Sequence, residues 1–171
     1  MMLSKNEILN AIKKGDINIT PFEKKNIGAC SVDLRLGNIF RRFKKNKKMF
    51  LVKENLNENE FSNEIKLKNN EFLTIKSGEL VLGTTLEKIK LSSYICGKLD
   101  GRSRFARIGL MIHNSSSLVQ PEVNNIQVLE IINLSPFTLS LQPGLKICQI
   151  SFSQLSSPAH YAGKFKRQTR P

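Results

Sequence analysis

The chain has 171 residues, 40% of them hydrophobic, which is enough for one domain with a sizeable core and no disulfide staples. It carries 27 Lys and Arg against 14 Asp and Glu, so the formal net charge is +13. This charge indicates attraction to an anion, whether nucleic acid, an anionic membrane or a polyphosphate ligand. No long apolar run and no basic-then-apolar start is present, so the sequence predicts neither a membrane span nor a secretory signal. We therefore expect a cytoplasmic protein.

Thiol and zinc chemistry have little support in the sequence. Cys30, Cys96 and Cys148 are far apart and form no CxxC pair, so we expect reduced, mostly buried thiols. With two His and no HxE…PCxxC pattern, the zinc site of zinc-dependent deaminases cannot be built. We therefore predict no zinc.

The chain opens with signals for a short amphipathic helix. Residues 4–7 (SKNE) form a capping box, in which Ser4 and Glu7 each satisfy a free backbone N–H. Three apolar residues then fall on one face, and Gly15 can end the helix in a left-handed conformation. Residues 16–20 alternate as a brief strand that Pro21 stops.

The next segment predicts a strand with one dry face, because Val32 and Leu34 alternate with Asp33 and Arg35. Asp33 and Arg35 share the outward face, and we expect them to pair with each other rather than contact a ligand.

Two polar segments follow. The basic run 41–48 (RRFKKNKK) is expected to form a solvated surface loop in preference to a nucleic-acid patch. Residues 53–64 lack periodicity and are expected to form a long surface excursion.

From residue 65 onward the pattern is one of short strands separated by Gly and Pro turns. Such a rhythm indicates a mainly β sandwich or barrel. The predicted strands cover residues 71–75, 80–86, 89–91, 94–99, 126–133, 137–141 and 146–152. We treat residues 1–171 as a single domain, with 160–171 as a basic tail that frays unless a polyanion orders it.

Residues 101–107 (GRSRFAR) follow directly on a predicted strand, and Phe105, Ile108 and Leu110 are expected to anchor a short helical turn. Free N–H groups, a hydroxyl and guanidinium forks at such a junction suit a phosphate chain, although this is not a Walker loop. A purely structural role for the Arg-rich turn stays open.

Glu130 is a carboxylate inside an otherwise apolar strand, beside Val128 and Ile132 in the alternation. It either points outward or enters a cavity, where a carboxylate tends to have a raised pKa and can transfer protons. His113 is expected to be a hydrogen-bonded residue at a strand end rather than a catalyst.

The run GRSxxARxGL (residues 101–110), followed by a strand-borne Glu, resembles the dCTP deaminase family. The likeness extends nearly end to end, through LSKNEILNAIKKGDINITPF, IGACSVDLRLGNIF, LDGRSRFARIGLMIH, QVLEIINLSPFTLSLQPGLKICQISF and YAGKFKRQ. These proteins are homotrimeric relatives of the trimeric dUTPases. The resemblance implies a mainly β fold with a short N-terminal helix, a distorted β-barrel (β-clip) of the dUTPase kind.

The activity that the resemblance implies is hydrolysis of dCTP to dUTP and ammonia, without a catalytic metal, in sites between subunits. Glu130 matches the general base and acid, and Ser103 and Arg107 match the residues that hold and polarise the attacking water. Magnesium is expected to ride on the triphosphate, and nucleic acid is not an expected partner. The substrate-binding positions that this implies are Arg102, Ser103, Arg104, Ser116, Gln120, Tyr161, Lys164 and Gln168.

The chain departs from the family pattern HxTAxxIDPGF, because Gln120 stands where Asp is usual and is followed by Pro121 and Glu122. In dUTPases that Asp activates the water that attacks phosphorus, and an amide cannot do so. Ser115 and Ser116 stand where Thr-Ala is common, and Arg104 replaces a second Ser. The alternatives are a dUTPase, a bifunctional enzyme that carries dCTP to dUMP, or a non-catalytic β-clip protein that binds nucleotides or nucleic acid.

Overall fold

The computed structural model describes residues 1–45, 49–113 and 115–171, and within these ranges most of the ordered backbone is β-strand. Six strands form the largest sheet: β1 (Ile17–Thr20), β3 (Ile39–Phe43), β4 (Ser62–Lys66), β6 (Leu80–Leu91), β8 (Leu110–Ile112) and β10 (Asn124–Asn133). Four strands form a second sheet: β2 (Val32–Arg35), β7 (Ile95–Gly101), β9 (Leu118–Val119) and β12 (Lys146–Gln154). A third sheet pairs β5 (Leu73–Ile75) with β11 (Leu139–Leu141).

The described fold also has three short α-helices, α1 (Lys5–Lys14), α2 (Glu58–Phe61) and α3 (Ser103–Ala106), and two 3-10 turns, Lys24–Asn26 and Lys164–Arg167. Helix α1 begins as predicted, since the backbone N and the Oγ of Ser4 each donate to Glu7 Oε2 at 2.7 Å. It ends at Gly15, whose φ of 83° is a left-handed value that glycine adopts without a steric penalty. The predicted fold class, mainly β with a short N-terminal helix, is confirmed.

The antiparallel pair β6 and β10 forms the centre of the largest sheet, with partners from Asn124 with Lys90 to Ile132 with Leu80. One face of β10 turns Leu129 and Ile131 into the core, where neither side chain is exposed. Burying an aliphatic side chain of this size stabilises the fold by roughly 1.5–3 kcal/mol. Position 83 of β6 requires a glycine, because Phe40 and Ile131 occupy the space that a Cβ would need.

The first residues of the basic run 41–48 belong to strand β3 and not to a surface loop. Arg41 belongs to β3 and is only 5% exposed, with its Nε donating to Ser62 Oγ at 2.8 Å. The expectation of a solvated loop is therefore wrong for Arg41 and Arg42, because the polar partners that let an arginine be buried come from a distant segment. Residues 46–48 of the run lie outside the described residues.

The polar segment 53–64 is also more ordered than expected, since α2 lies within it and β4 begins at Ser62. Strand β4 pairs with β3 at the edge of the sheet, and Ile65 is its single apolar residue. An edge strand with so few apolar residues has no alternation that a sequence pattern can reveal.

Asp33 and Arg35 do not pair with each other, contrary to expectation. Arg35 instead binds Glu23 and the buried Glu87, which accepts from the Arg35 backbone N at 2.8 Å and from its Nε at 2.6 Å. The hydrogen bond to Glu87 holds the pKa of the Arg35 guanidinium above its usual value. Asp33 is thereby left to pair with Arg102.

The three cysteines are free thiols. Cys148 is buried, and burial raises the pKa of its thiol well above the ordinary value, so it stays protonated. Cys96 is half-buried but Cys30 is exposed, so the expectation of mostly buried thiols is wrong for Cys30. In the described ranges no helix has the length and apolar character needed to span a bilayer.

Replacing Glu87 by Gln should lower the free energy of unfolding by about 3 kcal/mol, because the substitution leaves the Arg35 charge without its buried partner. Urea unfolding followed by circular dichroism measures the change. Glu71→Gln, which alters an exposed carboxylate in a turn, is the matched control and should shift the free energy by less than about 0.5 kcal/mol. Equal stability of the two variants would mean that the buried pair has no role in holding β2 against β6.

Candidate active site

A cavity of about 1170 Å³ opens beside β10, and it brings together most of the residues that the sequence associates with a nucleotide base and sugar. Its lining combines strand residues with the loop before β9 and with the C-terminal tail. The predicted site residues among them are Ser116, Gln120, Glu130, Tyr161, Lys164 and Gln168. We refer to it as the carboxylate cavity.

Glu130 enters this cavity instead of pointing into open solvent, which resolves the two orientations left open by the sequence. Both of its carboxylate oxygens are held by Ser115: the backbone N donates to Oε2 at 2.9 Å and the Oγ donates to Oε1 at 2.7 Å. A carboxyl group of fixed orientation therefore faces the cavity.

His113 shapes the loop that carries Ser115. It follows β8 in a left-handed conformation with φ of 60°, and its backbone N donates to the Glu130 carbonyl at 2.7 Å. Its Nε2 lies 2.6 Å from the Ser116 carbonyl oxygen, which can only accept, so Nε2 carries the proton. His113 is thus a hydrogen-bonded residue at a strand end, as the sequence predicted.

The tail lies across the carboxylate cavity and is held by contacts within the protein. Residues Lys164–Arg167 form a 3-10 turn, and the Asn125 Nδ2 donates to the Phe165 carbonyl at 2.7 Å. The Ile126 backbone N donates to the Gln168 carbonyl at 3.2 Å. Strand β10 therefore supplies hydrogen-bond partners for the tail, and the ordering of the tail by a polyanion stays a prediction.

A second cavity of about 470 Å³ contains the Arg-rich turn, and we call it the arginine cavity. Arg102, Ser103 and Arg104 line it around the start of α3, the helical turn that the sequence predicts. Phe105 packs against the core and Leu110 is buried, as expected of anchors, whereas Ile108 is 45% exposed and anchors nothing. Arg107 is an exposed residue at the end of α3.

Arg102 is held in place by two acceptors. Its Nη2 lies 3.1 Å from Asp33 Oδ2, and its Nη1 donates to the Lys146 carbonyl at 3.1 Å. Both Arg102 and Asp33 have side chains 21% exposed, so part of the guanidinium remains open to the cavity. A fork that is fixed at one edge and open at the other suits an anionic oxygen.

Arg107 lines neither cavity, and the other predicted site residues are divided between two cavities of the same chain. Strand β8 and the residue after it contribute to both cavities. Met111 and Ile112 line the arginine cavity, and His113 lines the carboxylate cavity. The structure brings Glu130 together with the tail residues, and it does not bring Glu130 into one cavity with Arg102 or Ser103.

Several polar residues of the carboxylate cavity were missed in the sequence. Ser115 was noted only as a departure from the family pattern. Its two hydrogen bonds to Glu130 depend on a loop geometry that no sequence pattern encodes. Asn125 and Gln127 belong to the same buried period-two series of β10 as Leu129 and Ile131. Amides on the dry face of a strand were the available signal. Within the part of the chain that the structure describes, no three His, Cys, Asp or Glu side chains form a metal-binding group.

Comparison with known proteins gives consistent matches over nearly the whole chain. Residues 2–155 match the model of the dCTP deaminase-like family. The chain is 35% identical to a dUMP-forming dCTP deaminase of Corynebacterium glutamicum, with 93% of this chain and 84% of the relative covered. It is 34% identical to a dCTP deaminase of Thermomicrobium roseum, over 98% of this chain and 86% of the relative.

Solved structures support the fold. The crystal structure of a dCTP deaminase from Agrobacterium tumefaciens superposes with a TM-score of 0.69 at 16% identity, and it covers 91% of this chain. The chain spans about half of that protein's length, 48%. A mutant dUTPase from phage 80alpha superposes with a TM-score of 0.52 at 9% identity, over 86% of this chain and 96% of that one. From the family match and the identity to these relatives, the chain belongs to the dCTP deaminase family of enzymes.

Proposed function

We propose that the protein removes the amino group of dCTP by hydrolysis of the C4–N bond, giving dUTP and ammonia, with Glu130 as general base and acid. The observation that carries the proposal is the Glu130 carboxylate, which enters a nucleotide-sized cavity and is held there by two hydrogen bonds from Ser115. A carboxylate fixed in orientation beside a ring-sized space is suited to move protons to and from a bound base.

The proposed reaction is an addition followed by an elimination. Glu130 takes a proton from a water molecule as its oxygen attacks C4 of the cytosine, and the protonated carboxyl gives that proton to the ring N3. A second proton passes from the new hydroxyl through Glu130 to the exocyclic amine as the C4–N bond breaks. The products are the uracil ring and ammonia, and Glu130 returns to its charged form.

The water and the phosphates need the Arg-rich turn, which lies in the other cavity of the same chain. We propose that the arginine cavity of one copy faces the carboxylate cavity of the next in a homotrimer, so that Ser103 and Arg107 reach the water. Exposed apolar side chains beside α3 support such a contact: Ile108 is 45% exposed, Met111 37% and Leu134 64%. Closure between copies would also exclude bulk water, which strengthens the electrostatics of the site.

The substrate is expected to be the magnesium complex of dCTP, in which the ion rides on the phosphates. Arg102, Ser103 and Arg104 would meet the triphosphate from one copy, and Tyr161, Lys164 and Gln168 of the tail would meet it from the other. Ser116 and Gln120 would face the base and sugar. The absence of zinc and a cytoplasmic location stay predictions from the sequence.

A second candidate is the reaction that continues from dCTP to dUMP. It is favoured by the names of several relatives, including the Corynebacterium glutamicum protein and a 36% identical protein of Dictyoglomus thermophilum, both called dUMP-forming dCTP deaminases. Against it stands Gln120, which lines the carboxylate cavity with an amide where a base for attack on phosphorus would be required. We therefore favour dUTP as the product.

Incubation with dCTP and magnesium should release ammonia and dUTP, and Glu130→Gln should reduce the rate by at least about a thousandfold while the oligomeric state is kept. Ion-exchange chromatography separates dCTP, dUTP and dUMP. Glu71→Gln is the control and should match the wild-type rate. Formation of dUMP with pyrophosphate would establish the bifunctional reaction. If no pyrimidine nucleotide is converted, and duplex DNA binds with a steep salt dependence, the chain is a binding protein instead.

Mixing two inactive variants tests whether the site spans two copies. Glu130→Gln and Arg107→Ala damage opposite halves, so random reassembly of equal amounts should restore about one quarter of the sites, each with both halves intact. Unfolding and refolding the variants together, followed by the ammonia assay, measures the recovery. Variants refolded separately and then combined are the control. A mixture as inactive as its components would place both residues in the site of a single chain.

Asp33 is expected to affect nucleotide binding by positioning the Arg102 side chain. Replacing Asp33 by Asn removes the anchor of the guanidinium fork, so KM for dCTP should rise about fivefold with little change in kcat. Asp100→Asn is the matched control, because Asp100 lines the same cavity and pairs with Lys98 at 3.2 Å. That variant should leave KM unchanged or lower it, since it removes negative charge without freeing Arg102. A rise of KM in both variants would rule out positioning of Arg102 by Asp33.

A further inference from the structure

The turn between β9 and β10 contains an unusual residue. Glu122 has a φ of 58°, the left-handed region in which a side chain with a Cβ costs roughly 1–2 kcal/mol. Its backbone N donates to the Ser92 carbonyl at 3.4 Å, which ties the turn to the end of β6. Glycine would adopt this conformation without the penalty. A glutamate in this conformation points to a role for its side chain.

The Glu122 carboxylate binds the tail at two points. Its Oε2 accepts from Lys166 Nζ at 2.9 Å, and its Oε1 lies 3.1 Å from His160 Nδ1. The side chain of Glu122 is 28% exposed and that of Lys166 34%, so this ion pair is partly shielded, whereas His160 is 75% exposed. Lys166 first, and His160 second, hold the pKa of the Glu122 carboxyl below its usual value.

Further hydrogen bonds hold the chain just before the tail and within it. Before the tail, the Ala159 backbone N donates to the Ser93 carbonyl at 2.9 Å. After His160, the Asn125 Nδ2 holds the Phe165 carbonyl at 2.7 Å, and the Gln168 Nε2 donates to the Ile126 carbonyl at 3.3 Å. Residues 122–126 supply the partners of His160, Phe165, Lys166 and Gln168, and Glu64 pairs with Arg170 at 3.6 Å.

The tail residues that bind Glu122 are not among those that line the carboxylate cavity. His160 and Lys166 bind Glu122, while Tyr161, Lys164 and Gln168 line the cavity. Fixing the first set therefore limits where the second set can go.

We propose that Glu122 is a positioning residue that fastens the tail over the carboxylate cavity before a nucleotide arrives, through Lys166 and His160. The fastening itself follows from the contacts of this chain, and its effect on turnover rests on the proposed function. A tail that is already in place loses less conformational freedom when the ligand binds, so the nucleotide is bound more tightly. The same fastening also keeps the tail closed when the product must leave.

Limited trypsin digestion without nucleotide measures the fastening directly, because the peptide bond after Lys164 lies within the tail. Cleavage requires local opening, so its rate reports the fraction of molecules with the tail released. Glu122→Gln keeps the side-chain shape and removes the charge, and Lys166→Gln removes the partner. Each should speed cleavage after Lys164 by about threefold to tenfold, measured by mass spectrometry of the intact chain. Glu71→Gln and Lys13→Gln are the matched controls and should leave the rate unchanged.

Salt and a third variant separate the ion pair from the turn. Raising the salt concentration from about 0.05 to 0.5 M should bring the wild-type cleavage rate toward that of Glu122→Gln, because salt screens a partly exposed ion pair. Glu122→Gly relieves the left-handed strain and removes the carboxylate, and it should release the tail as Glu122→Gln does. An unchanged cleavage rate in Glu122→Gln and Lys166→Gln overturns the proposal, whatever the glycine variant does.

The nucleotide then tests the consequence for binding. If dCTP is turned over, Glu122→Gln should raise KM about threefold to fivefold while kcat stays the same or rises, since release of the product becomes easier. A fall in kcat at constant KM would contradict a positioning role. If dCTP is not turned over at all, the proposed function fails, and the trypsin rates still decide whether Glu122 fastens the tail.

Discussion

The antiparallel pairing of β6 with β10 is the interaction on which the rest of the structure depends. The two strands are the longest of the described chain, with 12 and 10 residues, and their ladder joins the two ends of the largest sheet. Strand β10 carries Glu130 in its second half, and its first residues hold the tail. One strand therefore sets the distance between the carboxylate and the segment that covers it. A change in the register of this pair would move both together.

Each cavity combines acidic and basic side chains. Glu130 lines the carboxylate cavity together with Lys164 and other basic residues of the tail, and Arg102 and Arg104 line the arginine cavity together with Asp33 and Asp100. A nucleotide needs both kinds of group, because its ring exchanges protons and its phosphate chain needs cations. The buried partners of the arginines show how a strongly basic chain tolerates its charge. Arg35 is neutralised by Glu87, whereas Arg102 is only partly neutralised by Asp33 and stays available to an anion.

Much of the fold could be predicted because its local signals agree with one another. The capping box, the glycine at the end of α1 and the alternation in β2 and β10 each have a single structural reading. The prediction failed where tertiary partners decide the outcome. Arg41 is buried because Ser62 and Asn59, some 20 positions along the chain, complete its hydrogen bonds. Asp33 and Arg35 share a strand face, but stronger partners on other elements separate them.

The site was less predictable than the fold for a similar reason. Glu130 and the Arg-rich turn were identifiable from residue types and from resemblance, since charge in an apolar strand is rare. Ser115, Asn125 and Glu122 act through loops and tail contacts whose geometry is set only when distant segments meet. Their chemistry is ordinary, and their importance comes from position.

Strand β8 has a consequence for any assembly of this chain. It is only three residues long, and one side of it belongs to the arginine cavity while the next residue, His113, opens the carboxylate cavity. If copies meet as proposed, each chain serves two neighbouring sites through this thin partition. A displacement of β8 by an occupant of the arginine cavity would then also move His113 at the carboxylate cavity. Cross-talk between neighbouring sites would need no further machinery than this shared wall.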